Sequence, residues 1–279
     1  MTGTVVEFPA GVVHGAGVVQ HVLGLDGRVG VVTDRTPFHP VDPSWPDQPG
    51  DFGTLNGLAV VDCLVGAVDS EGMIAVDSAI QARRGDPEYS WVVVHVVDGP
   101  APAVGDAVDL RVDAQRRAGL SRAHTGCHVS ALALNAVVAD LWRKDVVTDG
   151  IGNPDFDRIA LTSSRMTPDQ ARDSYRLGKS LRKKGFDTAA FLEGLDGLPA
   201  RVEAQVQRWM DADANVEIEV DGPHLTDMRR WCCHVPEGTF RIACGGTHVT
   251  ALRELGSLSV RYEQPDDATV VAVTTLVAD

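Results

Sequence analysis

Two short runs constrain this chain most: Ala123-His124-Thr125-Gly126-Cys127-His128 and, far downstream, Cys244-Gly245-Gly246-Thr247-His248. On a helix, His124 and His128 stand at i and i+4, so both imidazoles leave one face about a turn apart. Cys244 and His248 have the same spacing, but the two glycines between them argue for a tight loop. Two imidazoles from a helix, with a thiolate and a third imidazole from a glycine-rich turn, form a tetrahedral N/S ligand set. Zinc is the metal such a set prefers. There is no His-Glu-x-x-His, and no His-x-Glu with a later Cys-x-x-Cys, so neither a zinc protease of that type nor a zinc deaminase is indicated.

At 279 residues the chain has room for one large or two modest domains, and its 44% apolar content suits a globular fold. A formal charge of −14 opposes indiscriminate nucleic-acid binding, which needs a basic surface to release counterions, so DNA is not an expected partner. No apolar run approaches bilayer length, and the first ten residues lack a basic start and an apolar stretch, so neither a membrane span nor a leader is expected. Five scattered cysteines suit a reducing cytoplasm better than a disulfide framework.

Residues 1 to about 110 read as short strands cut by Gly, Asp and Pro, at Val5-Val6, Val12-Val13, 29–32, 58–64, 73–76 and 91–97. The expected fold class is α+β. A small barrel-like β domain covers 1–110, and an α+β domain with a mixed sheet covered by helices covers 111–279. From about Ser121, a candidate N-cap, to Trp142 the pattern turns helical. That places His124 and His128 in the first turns, where the helix dipole favours neutral imidazoles. Cys127 reads as a small core residue. Thr167-Pro168-Asp169-Gln170 reads as a capping box opening a helix that ends near Gly185. Its basic body, with Lys179, Arg182, Lys183 and Lys184, is either a solvated face near a helix C-terminus or a phosphate clamp. A helix over 200–213 is followed by strands at 216–220, 229–235, 240–243, 258–262 and 269–277. Cys232-Cys233-His234 is a rival ligand source, but a strand sends its two thiols to opposite faces, which favours packing.

His-x3-His followed by Cys-Gly-Gly-Thr-His-Val resembles the editing domain of alanyl-tRNA synthetases and its freestanding AlaX-type relatives. Thr33-Asp34-Arg35-Thr36-Pro37-Phe38-His39-Pro40, with Gln48-Pro49-Gly50-Asp51-Phe52-Gly53, is similar to that family's Asp-x-Thr-x-Phe-Tyr-Pro…Gly-Gly-Gln-x-x-Asp-x-Gly segment. Asp155-Phe156-Asp157 resembles a strand motif of the relatives. The likeness covers most of the chain, most strongly 28–53, 95–135 and 200–256.

The resemblance implies a zinc-dependent hydrolase that cleaves, in trans, the ester between an amino acid and the terminal ribose of tRNA, without an organic cofactor. His124, His128, Cys244 and His248 would hold the zinc. Thr36 would sense the hydroxyl of the wrong amino acid, with Gln48, Asp51 and Thr247 as further positioning or proton-handling groups. The basic run would clamp the acceptor stem. Four protein ligands usually close a site whereas catalysis wants an open position, so the zinc is read either as catalytic or as positioning. His39 stands where the family has Tyr, and Pro46-Asp47 replaces two glycines, which restricts the backbone. The pocket is therefore open to threonine or a fluorinated threonine, the substrate of one branch of the family, besides serine or glycine. Two rivals are a non-catalytic tRNA-binding module with structural zinc, and a metal hydrolase of a free small-molecule ester or amide. A homo-oligomer is left open.

Overall fold

The computed structural model describes residues 3–277. The chain divides into two compact units. The first takes residues up to Ala118 together with 218–230 and 243–247, and the second takes 119–217, 231–242 and residues from His248 onward.

In the first unit the β-branched runs form β1 (Val5–Val6), β2 (His14–Leu25), β3 (Arg28–Thr33), β4 (Arg35–Thr36), β5 (Gly53–Leu55), β6 (Leu58–Val68), β7 (Ile74–Val76), β8 (Ser90–Asp98) and β9 (Ala107–Val112). A seven-stranded antiparallel ladder runs β5-β9-β2-β3-β8-β6-β7, and β5 also pairs with β6, so the ladder returns to its own start. Strand β8 is buried from Trp91 to Val97, as a run apolar but for His95 suits a strand covered on both faces. Val31, Cys63, Val65, Val93 and Leu110 fill one face, while Val32, Val68, Val92 and Val94 cluster on the other. A Cβ on Gly53 would stand 2.0 Å from the Arg111 carbonyl oxygen, so glycine alone lets β5 approach β9 there. The short parallel pair β1–β4 sets Val6 opposite Thr36.

Helix α1 (Ala114–Val137) starts in the first unit and continues in the second. From Gly119 to Asn135 no residue is exposed, and a helix covered all round shows no single apolar stripe. Between the two histidines a Cβ on Gly126 would lie 2.8 Å from Leu276 Cδ1, so this glycine lets the helix pack tightly there. The rest of the chain forms α2 (Phe156–Ala160), β10 (Leu161–Thr167), β11 (Gln170–Arg176), α3 (Lys179–Lys183), α4 (Thr188–Glu193), α5 (Leu198–Asp211), β12 (Asn215–Val220), β13 (Arg229–Val235), β14 (Gly238–Ala243), β15 (Ser257–Asp266) and β16 (Thr269–Val277). Strands β10-β11-β16-β15 make a four-stranded sheet and β12-β13-β14 a three-stranded one. Helix α5 buries Leu198, Val202, Val206 and Trp209, and Glu203 Oε1 accepts from the Val260 N–H at 2.7 Å.

The α+β class holds, with corrections. Helix α1 begins seven residues before the expected Ser121, because Asp113 caps it by accepting from the Arg116 N–H at 3.0 Å. His124 and His128 therefore lie about three and four turns in, beyond the reach of the N-terminal dipole. The helix expected to open at Thr167 is instead the hairpin β10–β11. Pro168 and Asp169 (φ 62°) form its turn, and the basic run keeps only the five-residue α3. The segment at Asp155–Asp157 is a capped helix start rather than a strand, with Asp155 accepting from the Arg158 N–H at 3.1 Å. The four-stranded sheet is antiparallel rather than mixed. Among the described residues no helix is long and apolar enough to cross a membrane.

Candidate functional site

In the first unit Thr36, Gln48, Asp51 and Thr247 are all buried. Thr36 is 0% exposed, at the end of β4. Its hydroxyl lies 2.7 Å from His95 Nε2 and accepts from the Phe38 N–H at 3.1 Å. His95 Nδ1 is 2.9 Å from the Val31 carbonyl, which can only accept, so the ring proton sits on Nδ1. Burial pushes His95 down to about 4, so the ring is neutral near pH 7 and Nε2 takes the Thr36 proton.

Asp51 and Arg117 form a buried ion pair, with Arg117 Nε 3.0 Å from Asp51 Oδ1. The same guanidinium donates to the Pro37 carbonyl at 2.8 Å, and Asp51 Oδ2 accepts from the His39 N–H at 2.6 Å. One charge pair thus ties the Thr36–His39 turn to the start of α1. Gln48 grips Thr247 twice: Nε2 donates to its hydroxyl at 3.0 Å, and Oε1 accepts from its N–H at 2.9 Å. His39, at the family's Tyr position, is buried edge-on to Phe8 with ring centroids 5.0 Å apart.

In the second unit His124 and His128 of α1 meet His248 from the loop after β14. The ring centroids are 4.9 Å (His124–His128), 4.4 Å (His124–His248) and 5.3 Å (His128–His248) apart, and each ring has a nitrogen within 4.8 Å of the others'. Trp231 packs against His128 at 5.0 Å and His248 at 6.0 Å. Thr125 Oγ1 accepts from the Val249 N–H at 3.2 Å and lies 3.2 Å from His248 Nδ1. His124 is buried while His128 and His248 are half-buried. Burial, not the helix dipole, keeps His124 neutral by pushing it down to about 3. Cys244 packs with the first unit, where its N–H donates to the Arg229 carbonyl at 3.1 Å. Burial pushes its thiol up to about 12, so ionisation there needs a neighbouring cation.

An alanine--tRNA ligase of Caldivirga maquilingensis is 27% identical over 82% of this chain and 22% of its own length. A second, from Halorubrum lacusprofundi, is 28% identical over 89% of this chain and 23% of its own length. The alanyl-tRNA editing protein AlaX-M of Pyrococcus horikoshii is 28% identical over 82% of this chain and 77% of its own length. The chain is similar in sequence to the AlaX-type alanyl-tRNA editing protein and to the editing region of alanine--tRNA ligases. The chain spans less than a quarter of the length of those two ligases. No protein-family model matches it.

Lys179, Arg182, Lys183 and Lys184 are exposed on α3 and just after it. Cys127 faces a buried carboxylate, Asp173 Oδ2, at 3.3 Å, which its reading as a plain apolar core residue did not include. Cys232 and Cys233 are buried and His234 is exposed, bonded to Glu217 and Thr239. Arg117, Thr125, Trp231 and the tie between His95 and Thr36 went unassigned by sequence reasoning. The only local signal was His95, a lone polar residue in the apolar run of β8.

Proposed function

We propose that this chain is a zinc-dependent hydrolase that removes the amino acid from mischarged aminoacyl-tRNA in trans, in the cytoplasm. The convergence of His124, His128 and His248 carries the reading. Three imidazoles packed ring to ring, one held neutral by burial, are a donor set for a divalent cation of zinc's softness. Cys244, four residues before His248 on the same loop, would supply the thiolate that a cation draws from a raised thiol. If His248 ligates through Nε2, its Nδ1–H has Thr125 Oγ1 as acceptor, which fixes tautomer and ring orientation.

When bound, zinc would supply Lewis-acid polarisation of the ester or activation of water. Gln48, Asp51, Thr36 and Thr247 act as positioning residues, since each is sealed and already hydrogen-bonded. Gln48 holds Thr247, the residue directly before His248, and Arg117–Asp51 holds the turn that carries Thr36. The returning ladder of the first unit is read as the small barrel that scaffolds this turn. The AlaX-M and ligase relatives point to an aminoacyl ester as substrate. The amino acid is of the serine/glycine or the threonine/fluorothreonine type.

The test is a deacylation panel of seryl-, glycyl-, alanyl-, threonyl- and fluorothreonyl-tRNA, run with native protein and His124→Ala, alongside metal analysis. At least one ester should be cleaved far faster than in buffer, with His124→Ala losing both zinc and turnover. Cleavage of none, by protein shown to hold zinc, would remove the enzyme reading and leave a tRNA-binding module. Turnover of a free ester at equal rate would favour the small-molecule hydrolase.

A further inference from the structure

The chain contains four lysines in all: Lys144, Lys179, Lys183 and Lys184. The second unit brings all four to one surface. Lys144 sits on the loop after α1, well before α3 in sequence, yet its Nζ donates to the Lys183 carbonyl at 3.0 Å. The two segments are zipped together by the Arg143 N–H to Gly185 carbonyl bond (3.0 Å), the Asp187 N–H to Leu141 carbonyl bond (2.9 Å), and Trp142 and Phe186 with ring centroids 4.9 Å apart. Asp187, on the second of these segments, is occupied by Arg143 and by capping α4 through the Ala190 N–H.

Many of the arginines are tied to carboxylates, as in Arg84–Asp42, Arg122–Asp169, Arg172–Glu263 and Arg208–Glu237. The lysines are treated differently. Among the described residues none of the four is in an ion pair, and all four are exposed, as is Arg182 between them. In a chain of formal charge −14, a surface that gathers every lysine and leaves them unpaired is a local inversion of the field.

We propose that Lys144, Lys179, Arg182, Lys183 and Lys184 form a docking surface for the phosphodiester backbone of RNA. The charges are exposed and strung along two chain segments held side by side, which fits several phosphates in series better than one small anion. A lipid headgroup layer would want apolar anchors beside the cations. Leu181, Phe186 and Phe191 of these segments are instead turned into the core. The choice of RNA rests on the aminoacyl-tRNA reading above. The added content is the surface itself, and Lys144, which only the fold brings to it.

The experiment measures uncharged tRNA binding by fluorescence anisotropy across a salt series, for the native protein, for Lys144→Gln and for Lys179→Gln/Lys183→Gln/Lys184→Gln. Substitutions at exposed positions should leave thermal melting unchanged, which is checked first. The triple variant should bind roughly tenfold or more weakly at moderate salt, and its log–log salt slope should fall by about 2–3. Lys144→Gln should lower that slope by about 1. In deacylation the variants should raise KM with kcat held, while cleavage of an aminoacylated terminal adenosine stays native. Native tRNA affinity and salt slope in the triple variant would overturn the surface even if the enzyme deacylates tRNA. Patch-dependent tRNA binding without any deacylation would keep the surface and remove the enzymatic reading. Patch-dependent capture of phosphatidylserine vesicles with no tRNA binding would replace RNA by membrane.

Discussion

The interiors of the two units handle buried polarity in opposite ways. In the first, the groups around the Thr36–His39 turn are matched with partners of the other kind, a cation answering an anion. Arg117 faces Asp51, Thr36 gives its proton to a neutral His95, and Gln48 matches Thr247 donor for acceptor. In the second, like is gathered with like: three imidazoles in one cluster, and two carboxylates in another. Asp157 accepts from the Tyr175 hydroxyl at 2.9 Å and Asp173 from the Cys127 thiol. Burial, and then the neighbouring Asp173, push Asp157 up to about 7. A closed set of unlike partners holds a shape by itself. A set of like donors acquires its full stability only with a proton or a metal ion added.

The largest expected effect tests the self-sufficient half of that contrast. Arg117→Met leaves Asp51 as an unpaired buried charge and should cost about 3–5 kcal/mol in urea unfolding. The double variant Arg117→Met/Asp51→Leu should recover most of that loss. If the single variant is near neutral, the pair is not what holds the turn.

Zinc addition tests the other half. At a concentration a hundredfold over Kd it should stabilise the native protein by about 2.7 kcal/mol, read by thermal melting. His128→Ala or His248→Ala should abolish the shift. A shift retained in both would place the metal elsewhere.

Tyr175→Phe removes the hydroxyl that Asp157 uses and should cost about 1–3 kcal/mol, less than Arg117→Met because the Asp157 carboxyl can hold a proton instead. Equal costs would erase the distinction between the units.

The last test is the pH profile, followed by amide exchange in each unit. Asp157 binds its proton more tightly folded than unfolded (about 7 against 3.8), so its contribution is present at low pH and is lost as pH rises from about 4 to 7. His95 does the reverse. Its folded value of about 4 lies below the unfolded 6.5, so stability grows as pH rises through that interval. Asp157→Asn should remove the falling limb in the second unit and leave the first unit's rise untouched.

Much of the architecture was legible along the chain. Strands β13 and β16 have the bounds the β-branched runs indicated, and β8 reads directly from Trp91 to Val97. Strand β2 was passed over because Gly15, Gly17 and Gly24 break its run, and its pairing with β3 and β9 is what makes it a strand. The β10–β11 hairpin was misread because Thr-Pro-Asp-Gln satisfies a capping rule locally. The period-two burial of Ala171, Asp173 and Tyr175 prevails once β16 pairs alongside.

Sequence alone determined that His124 and His128 share one helix face, because i, i+4 spacing is local geometry, whereas the fold brings His248 to them. Sequence also determined the apolar strands, through side-chain chemistry that permits little else. Tertiary structure decided which buried groups face which: Arg117 with Asp51, His95 with Thr36, Asp173 with Cys127, Lys144 with Lys183. Each of those pairs joins segments distant in the chain, and electrostatic partnership depends on separation in space, which residue order does not encode.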